Sequence, residues 1–387
     1  FHWSGDRFDV DLSSAKSKKL VDEMIEAMNK AEPAVFAIMD YWTFDGWLAL
    51  RKRLKDEDAP VLKKTVLPGI ELRLAAPMKG RLNAHVLFSN EVDEQVLRDF
   101  ISALRIELVD RPLSEPALRE LARKVGEDKL KHHGFKKADV DASDEKALLA
   151  GAVIAEINAD SYREAIRKVP NEHAIGLMPF DTNDGLAEVG WQEHYAYAMN
   201  LFQTSPIFET RDTDLRGAFV GEQTAGNAKW FKNFQAGLNN IPRLAVSGSD
   251  AHCFVGTPGD NNKRGYGDFP SGKRTWIKAD PTFHGLKQAI LEPAKRSFIG
   301  DKPPKVQEVE SNKTFYIESI EITKTGDKAG VGRWLRVCPG NRLSSGNAGP
   351  AHWPAGNQAG HYAGLWRLCA YATYAGCGQR AGNYCGR

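Results

Sequence analysis

Between residues 33 and 291 short β-rich runs alternate with stretches of helical period, and few folds accept that order. The runs are PAVFAIMD (33–40), TVLPGIEL (65–72), NAHVLF (83–88), AVIAEIN (152–158), HAIGLMPF (173–180), SPIFETRD (205–212), RLAVSGSD (243–250) and RTWIKAD (274–280). Between them, LVDEMIEAMNKA (20–31), DGWLALRKRLKD (45–56), EQVLRDFISALRIEL (94–108), PALRELARKVG (116–126), WQEHYAYAMNLF (191–202) and TFHGLKQAIL (282–291) carry the helical spacing. Asp45 stands where it could cap the second of these. Alternation of this kind predicts a mainly parallel α/β fold of the barrel kind. In such folds the chemistry collects at the C-terminal ends of the strands.

Composition divides the chain. The whole has 52 Lys and Arg against 50 Asp and Glu, a net charge of +2. Residues 325–387 hold 7 basic residues and one acid, Asp327, which leaves residues 1–324 at −4. That last segment also holds 13 of the 35 glycines and four of the five cysteines, Cys338, Cys369, Cys377 and Cys385. One cysteine in the first 324 residues points to a reducing, cytoplasmic setting and no disulfide framework. No CxxC pair occurs in the tail, a poor fit to a zinc knuckle. Three readings of residues 325–387 stand open: a disordered basic extension, a small metal or disulfide module, or a product out of frame with its natural continuation. No run of 18 apolar residues exists, so no membrane span is expected. FHWSGDRFDV has neither a basic nor an apolar leader region.

Polar groups stand where the fold predicts chemistry. FAIMD ends at Asp40-Tyr41, LPGIE at Glu71, IFETRD at Glu209, Arg211 and Asp212, and LAVSGSDAH at Asp250 and His252. His85 stands near the start of the NAHVLF run, and His132 and His133 lie in KLKHHGF. No GxxxxGK[ST], GxGxxG or GxSxG motif occurs, so no nucleotide cradle or nucleophile elbow is predicted. Asp250 and His252, two apart after a strand, can reach one ion from one face. Singly, each group has an ordinary explanation: a turn cap, a strand-end carboxylate, a satisfied histidine. Together they favour a divalent metal site of carboxylate and imidazole, suited to Zn, Mn or Fe.

The order PGIE, a His-containing strand, an internal His and then SDAH resembles that of PHP domains, the polymerase and histidinol phosphatase superfamily. The resemblance implies a distorted (β/α)7 barrel that binds two or three divalent metal ions and hydrolyses phosphoesters. It carries Glu71, His85, His133, Asp250 and His252 over as metal ligands. Tyr41 stands where the family usually has His, and Glu209 matches a late strand-end Glu less specifically. The family's first strand bears His-x-His-Thr. FHWSG resembles the residues just after that motif, which puts His2 on a later ligand position. The chain is then expected to lack its natural N-terminus and first barrel strand.

Longer phrases, among them AEPAVFAIMDYWTFDGW, KGRLNAHVLFS, MPFDTNDGLAEV, NNKRGYGDFPSGK and KRSFIGDKPPK, resemble the PHP domain of TrlF-type proteins. There a PHP domain precedes an ABC/SMC-like ATPase. SNKTFYIESIEI (311–322) resembles the first strand of that ATPase, so residues 1–305 read as the phosphoesterase domain, 306–324 as linker and strand, and 325–387 as the tail. The implied activity is metal-dependent phosphodiester hydrolysis, a nuclease in the narrower form, coupled to the ATPase domain. A catalytically silent module and a non-functional fragment are the rival readings. Arg211 would bind a phosphate oxygen or pair with Asp212 or Asp214. Lys263, Arg264 and Tyr266 combine charge with an aromatic ring, a mix that suits a single-stranded nucleic-acid substrate.

Overall fold

The computed structural model describes residues 8–182, 184–260, 263–269, 272–312, 317–324, 331–337 and 365–368. His2 and the four tail cysteines lie outside the described residues. Strands β1 (Val35–Tyr41), β2 (Thr65–Leu74) and β3 (Leu82–Phe88) come first, followed by a two-strand ribbon, β4 (Arg105–Ile106) and β5 (Arg111–Pro112). β6 (Ala174–Pro179), β7 (Ile207–Glu209) and β8 (Leu244–Val246) complete a six-stranded sheet of order β1-β2-β3-β6-β7-β8. β9 (Arg274–Lys278), β10 (Ser297–Gly300) and β13 (Leu365–Leu368) form a second sheet, and β11 (Ile317–Lys324) pairs with β12 (Val331–Val337). Helix Pro304–Ser311 runs through residue 305.

The six-stranded sheet is mixed: five strands run in one direction and β3 runs against them. β1–β2, β6–β7 and β7–β8 are parallel, whereas β3 is antiparallel to both neighbours. The reason is chain length. Residues 75–81 are too few for a crossover, which needs a dozen or more, and enough for a hairpin. The reversal matters for the site. It brings the start of β3, with His85, to the edge where the other five strands end.

The run 152–158 is not a strand. Helix Asp144–Ile154 takes its first half, with Ser143 as N-cap accepting from the Lys146 amide. Ala147, Ala150 and Gly151 bury against helix Glu115–Lys124. A Cβ on Gly151 would stand 2.1 Å from the Leu118 carbonyl oxygen, so close packing of the two helices requires glycine. Only Ile157 of the run pairs, bridging Leu74 and Ile106. Asp45 is the first residue of helix Asp45–Arg53 and not its cap.

Alternate side chains of a strand face opposite sides, and the sheet sorts them into two cores. Phe36, Ile38, Val66, Ile70, Val86, Phe88, Phe208 and Ala245 face the larger core with most of the helices. Val35, Ala37, Leu67, Leu87, Leu177, Ile207, Leu244 and Val246 face the other, closed by Ile277 of β9 and by Phe283, Leu286 and Ala289 of helix Phe283–Leu291. Continuing this second series to the strand ends gives Tyr41, Glu71, His85 and Glu209. The polar groups therefore sit at the rim of an apolar, plugged face.

Among the described residues, no helix is long and apolar enough to cross a membrane.

Candidate functional site

Glu71 and His85 are directly opposite in the β2–β3 register. Both are buried, at 7% and 0% exposure, with His85 Nε2 3.8 Å from Glu71 Oε2. Asn83, two residues before His85 on the same face, donates from Nδ2 to Glu71 Oε1 at 3.1 Å. That bond fixes the carboxylate. Tyr41, paired with Glu71 across β1–β2, also hydrogen-bonds it. Burial pushes the Tyr41 phenol well above its ordinary pKa, and the Glu71 charge adds to the rise. The phenol is thus held protonated, a donor to Glu71. Arg73 lies over the Tyr41 ring at 5.2 Å and donates to the Val153 carbonyl at 2.6 Å.

A second pair lies within electrostatic reach of this group. After β8 the chain turns through Asp250, at φ +49, and places Asp250 Oδ1 3.4 Å from His252 Nε2. Burial works against the Asp250 charge. His252, Arg264 and Arg211 outweigh it and hold the carboxyl below its usual range. The hydrogen bond to Asp250 raises the His252 pKa above 6.5 against the opposing effect of burial. Glu71 is near enough to add to that rise, and Asp250 near enough to act on Tyr41. The two carboxylate–imidazole pairs thus share one electrostatic site.

Arg264 ties the second pair to its loop. Its Nε donates to the Ser249 carbonyl at 2.8 Å and its Nη2 to Asp250 Oδ2, while its own carbonyl accepts from the His252 and Cys253 amides. Glu209, 1% exposed at the end of β7, lies 3.8 Å from Arg211 Nη2. Arg211 does not pair with Asp212 or Asp214. Asp212 caps helix Thr213–Val220, and Asp214 accepts from Thr224 Oγ1. Lys273 Nζ donates to the Arg211 carbonyl, which draws a further cation to this side.

Three further predicted residues belong to neither pair. His133 closes helix Glu127–His132. Burial lowers its pKa, as do the charges of Arg81, His132, Lys129 and Arg73, which favours the neutral imidazole. Tyr266 packs edge-on to Phe36 at 5.6 Å and beside Phe254 at 5.7 Å, and burial raises its pKa. Its ring is engaged in packing, not displayed as a platform. Lys263 is exposed and paired with Asp260 at 3.6 Å.

Sequence reasoning missed Asn83 and Arg73. Both follow from counting by two along strands that the sequence already marks, from His85 back to Asn83 and from Glu71 on to Arg73.

The donor set of Glu71, His85, Glu209, Asp250 and His252 fits a borderline divalent cation in chemistry, being oxygen and imidazole nitrogen in a largely buried setting. Among the described residues, no three His, Cys, Asp or Glu side chains are grouped closely enough to hold one ion. The groups stand as two separate pairs.

No family model and no curated protein matches the chain.

Proposed function

We propose that this strand-end cluster is a divalent-metal-dependent phosphoesterase centre of the PHP type, acting on phosphodiesters. One observation carries the proposal. Two carboxylate–imidazole pairs and the buried Glu209, from four different strand ends, converge on one rim. Burying so many ionisable groups at one place is costly unless cations or substrate compensate. The sheet is then part of a distorted barrel, with β9 and helix Phe283–Leu291 filling its interior. The scarcity of cysteine favours a reducing cytoplasm as its setting, and the resemblance of the longer phrases favours coupling to an ATPase domain.

Glu71 with His85, and Asp250 with His252, would hold the ions. When bound, divalent metal lowers the pKa of water and polarises a phosphoryl oxygen. The chain's own residues do the rest. Asn83 orients Glu71. Arg264 keeps Asp250 ionised and anchored. Arg211, whose guanidinium fork suits phosphate oxygens, stands beside Glu209 on the same side.

Metal content after loading with Mn or Zn, together with hydrolysis of bis(p-nitrophenyl) phosphate, tests this. Two or more ions per chain, and turnover abolished by Asp250→Ala or His252→Ala with the fold intact, are the expected results. Fewer than two ions, with activity indifferent to both substitutions, overturns the proposal. A second reading, a catalytically silent module, is favoured by the Tyr41 hydroxyl bonded to Glu71. Its signature is metal loading without hydrolysis.

A further inference from the structure

A cavity of about 740 Å³ lies between the end of helix Ala15–Lys30 and the loop that follows His252. That volume is in the range of small-ligand sites. The loop is doubled over and firmly tied. The Thr257 amide donates to the Lys263 carbonyl at 2.9 Å, and the Tyr266 amide to the Phe254 carbonyl at 3.3 Å. A Cβ on Gly265 would stand 2.1 Å from the Gly256 nitrogen, so the two arms cross closer than a side chain there would allow. On the helix side Ala27 and Ala31 are small, which leaves the space open.

Three rings line the cavity, Phe254, Tyr266 and Phe269. Tyr266 packs against both Phe36 and Phe254, and Arg274 lies over Phe269 at 5.8 Å, so the rings are held in place. Val255, which also lines the cavity, is 81% exposed, an apolar surface that a bound ring would cover. The charges in the lining cancel. Lys30 and Arg264 are balanced by Asp260 and Asp268, and three of these four are already paired: Lys30 with Glu26, Asp260 with Lys263, and Arg264 with Asp250. Such a lining offers no excess charge to an anion. It suits a neutral planar ring, with aromatic faces to stack on and a carboxylate, Asp268, to accept from ring N–H groups. Asp268 Oδ2 takes the Gly265 amide at 2.8 Å, and an ionised carboxylate can accept more than one bond.

We infer that this cavity holds a nucleobase of the substrate, next to the scissile phosphodiester. Arg264 is the link: it lines the cavity, and its Nη2 bonds Asp250 in the centre. An uncharged planar ring bearing N–H donors, joined through a sugar to a phosphate, is the chemistry of a nucleotide. Stacking on aromatic side chains accepts any base, because every base has a π-face. The substrate assignment rests on the phosphoesterase reading, whereas the ring pocket does not.

Two measurements separate them. The first is titration of the metal-free chain with adenosine and cytidine, and with ribose as the control that lacks a base, followed by NMR. The nucleosides should bind about 10-fold more tightly than ribose, from base–aromatic stacking. Ala27→Leu fills the cavity from the helix side with a residue that favours helix. It should weaken binding of both nucleosides about 10-fold, and Phe254→Ala should do the same by removing a stacking face. The second is the ratio of kcat/KM for thymidine 5′-(p-nitrophenyl phosphate) to that for methyl p-nitrophenyl phosphate, two diesters with the same leaving group. That ratio should fall about 10-fold in Ala27→Leu, through KM. Nucleosides that bind no better than ribose, or equally to wild type and Ala27→Leu, overturn the pocket. A ratio unchanged in Ala27→Leu overturns its assignment to the substrate. Failure of the wild type to hydrolyse either diester overturns the phosphoesterase reading, and the nucleoside titration still decides the pocket.

Discussion

Asp250 and His252 hold each other in opposite charge states, and this coupling gives the site a pH signature. The Asp250 pKa is lowered below its ordinary 3.8, so its contribution to stability is present above that value and is lost as pH falls through the folded pKa. The His252 pKa is raised above 6.5, so its contribution is full below 6.5 and is lost as pH rises through the folded value. The pair therefore stabilises the metal-free chain chiefly between these limits. Asp250→Asn should lower Tm more at about pH 5.5 than at about pH 9, as measured by calorimetry. Equal losses at both would remove the pair from the stability account. A protonated His252 also competes with a metal ion, so affinity for Mn should climb with pH and binding should release a proton. Calorimetric titration in two buffers of different ionisation heat reads this directly. Asn83 acts through Glu71. Replacement by Leu should reduce Mn affinity by about 10–100-fold, while Asn83→Gln recovers part of it. These residues differ in how legible they were. Asp250, His252, Glu71 and His85 announce themselves by side-chain type at strand ends. Asn83 and Arg73 are ordinary strand residues until a register gives them neighbours.

At the scale of elements, seven of the eight β-rich runs contain a strand and the six helical stretches all contain a helix. The exception is instructive. AVIAEIN has the composition of a strand, and its first half is the end of a helix because Ser143 caps it and Gly151 seats it against Leu118. Apolar runs of this length do not distinguish a buried strand from a buried helix. Gly151→Leu should therefore destabilise the chain by about 1–3 kcal/mol in urea unfolding, the usual cost of overpacking. No loss of stability would mean that the two helices can separate. The direction of β3 was equally hidden. Its composition says strand, but only the short 75–81 connection says hairpin, and that reversal carries His85 to Glu71.

For the whole molecule, the second core decides whether a rim of charged groups can exist at all. Helix Phe283–Leu291 and Ile277 seal the face below the site, and Leu286 is fully buried there. Leu286→Ala should cost about 2–5 kcal/mol in denaturant unfolding, the range for large-to-small core changes. A loss under about 1 kcal/mol would show that the plug is dispensable. The sequence by itself determined most of the segments that are strands and helices, 152–158 excepted, because side-chain period and β-branching act locally. It also marked which strand ends bear ionisable groups. Tertiary structure alone decided which of those ends meet. Pairing order, the sense of β3 and the closing of one face depend on contacts between residues far apart in the chain. For that reason Glu71, His85, Asp250 and His252 were legible as residue types, but as two pairs within electrostatic reach of each other they appear only in the folded chain.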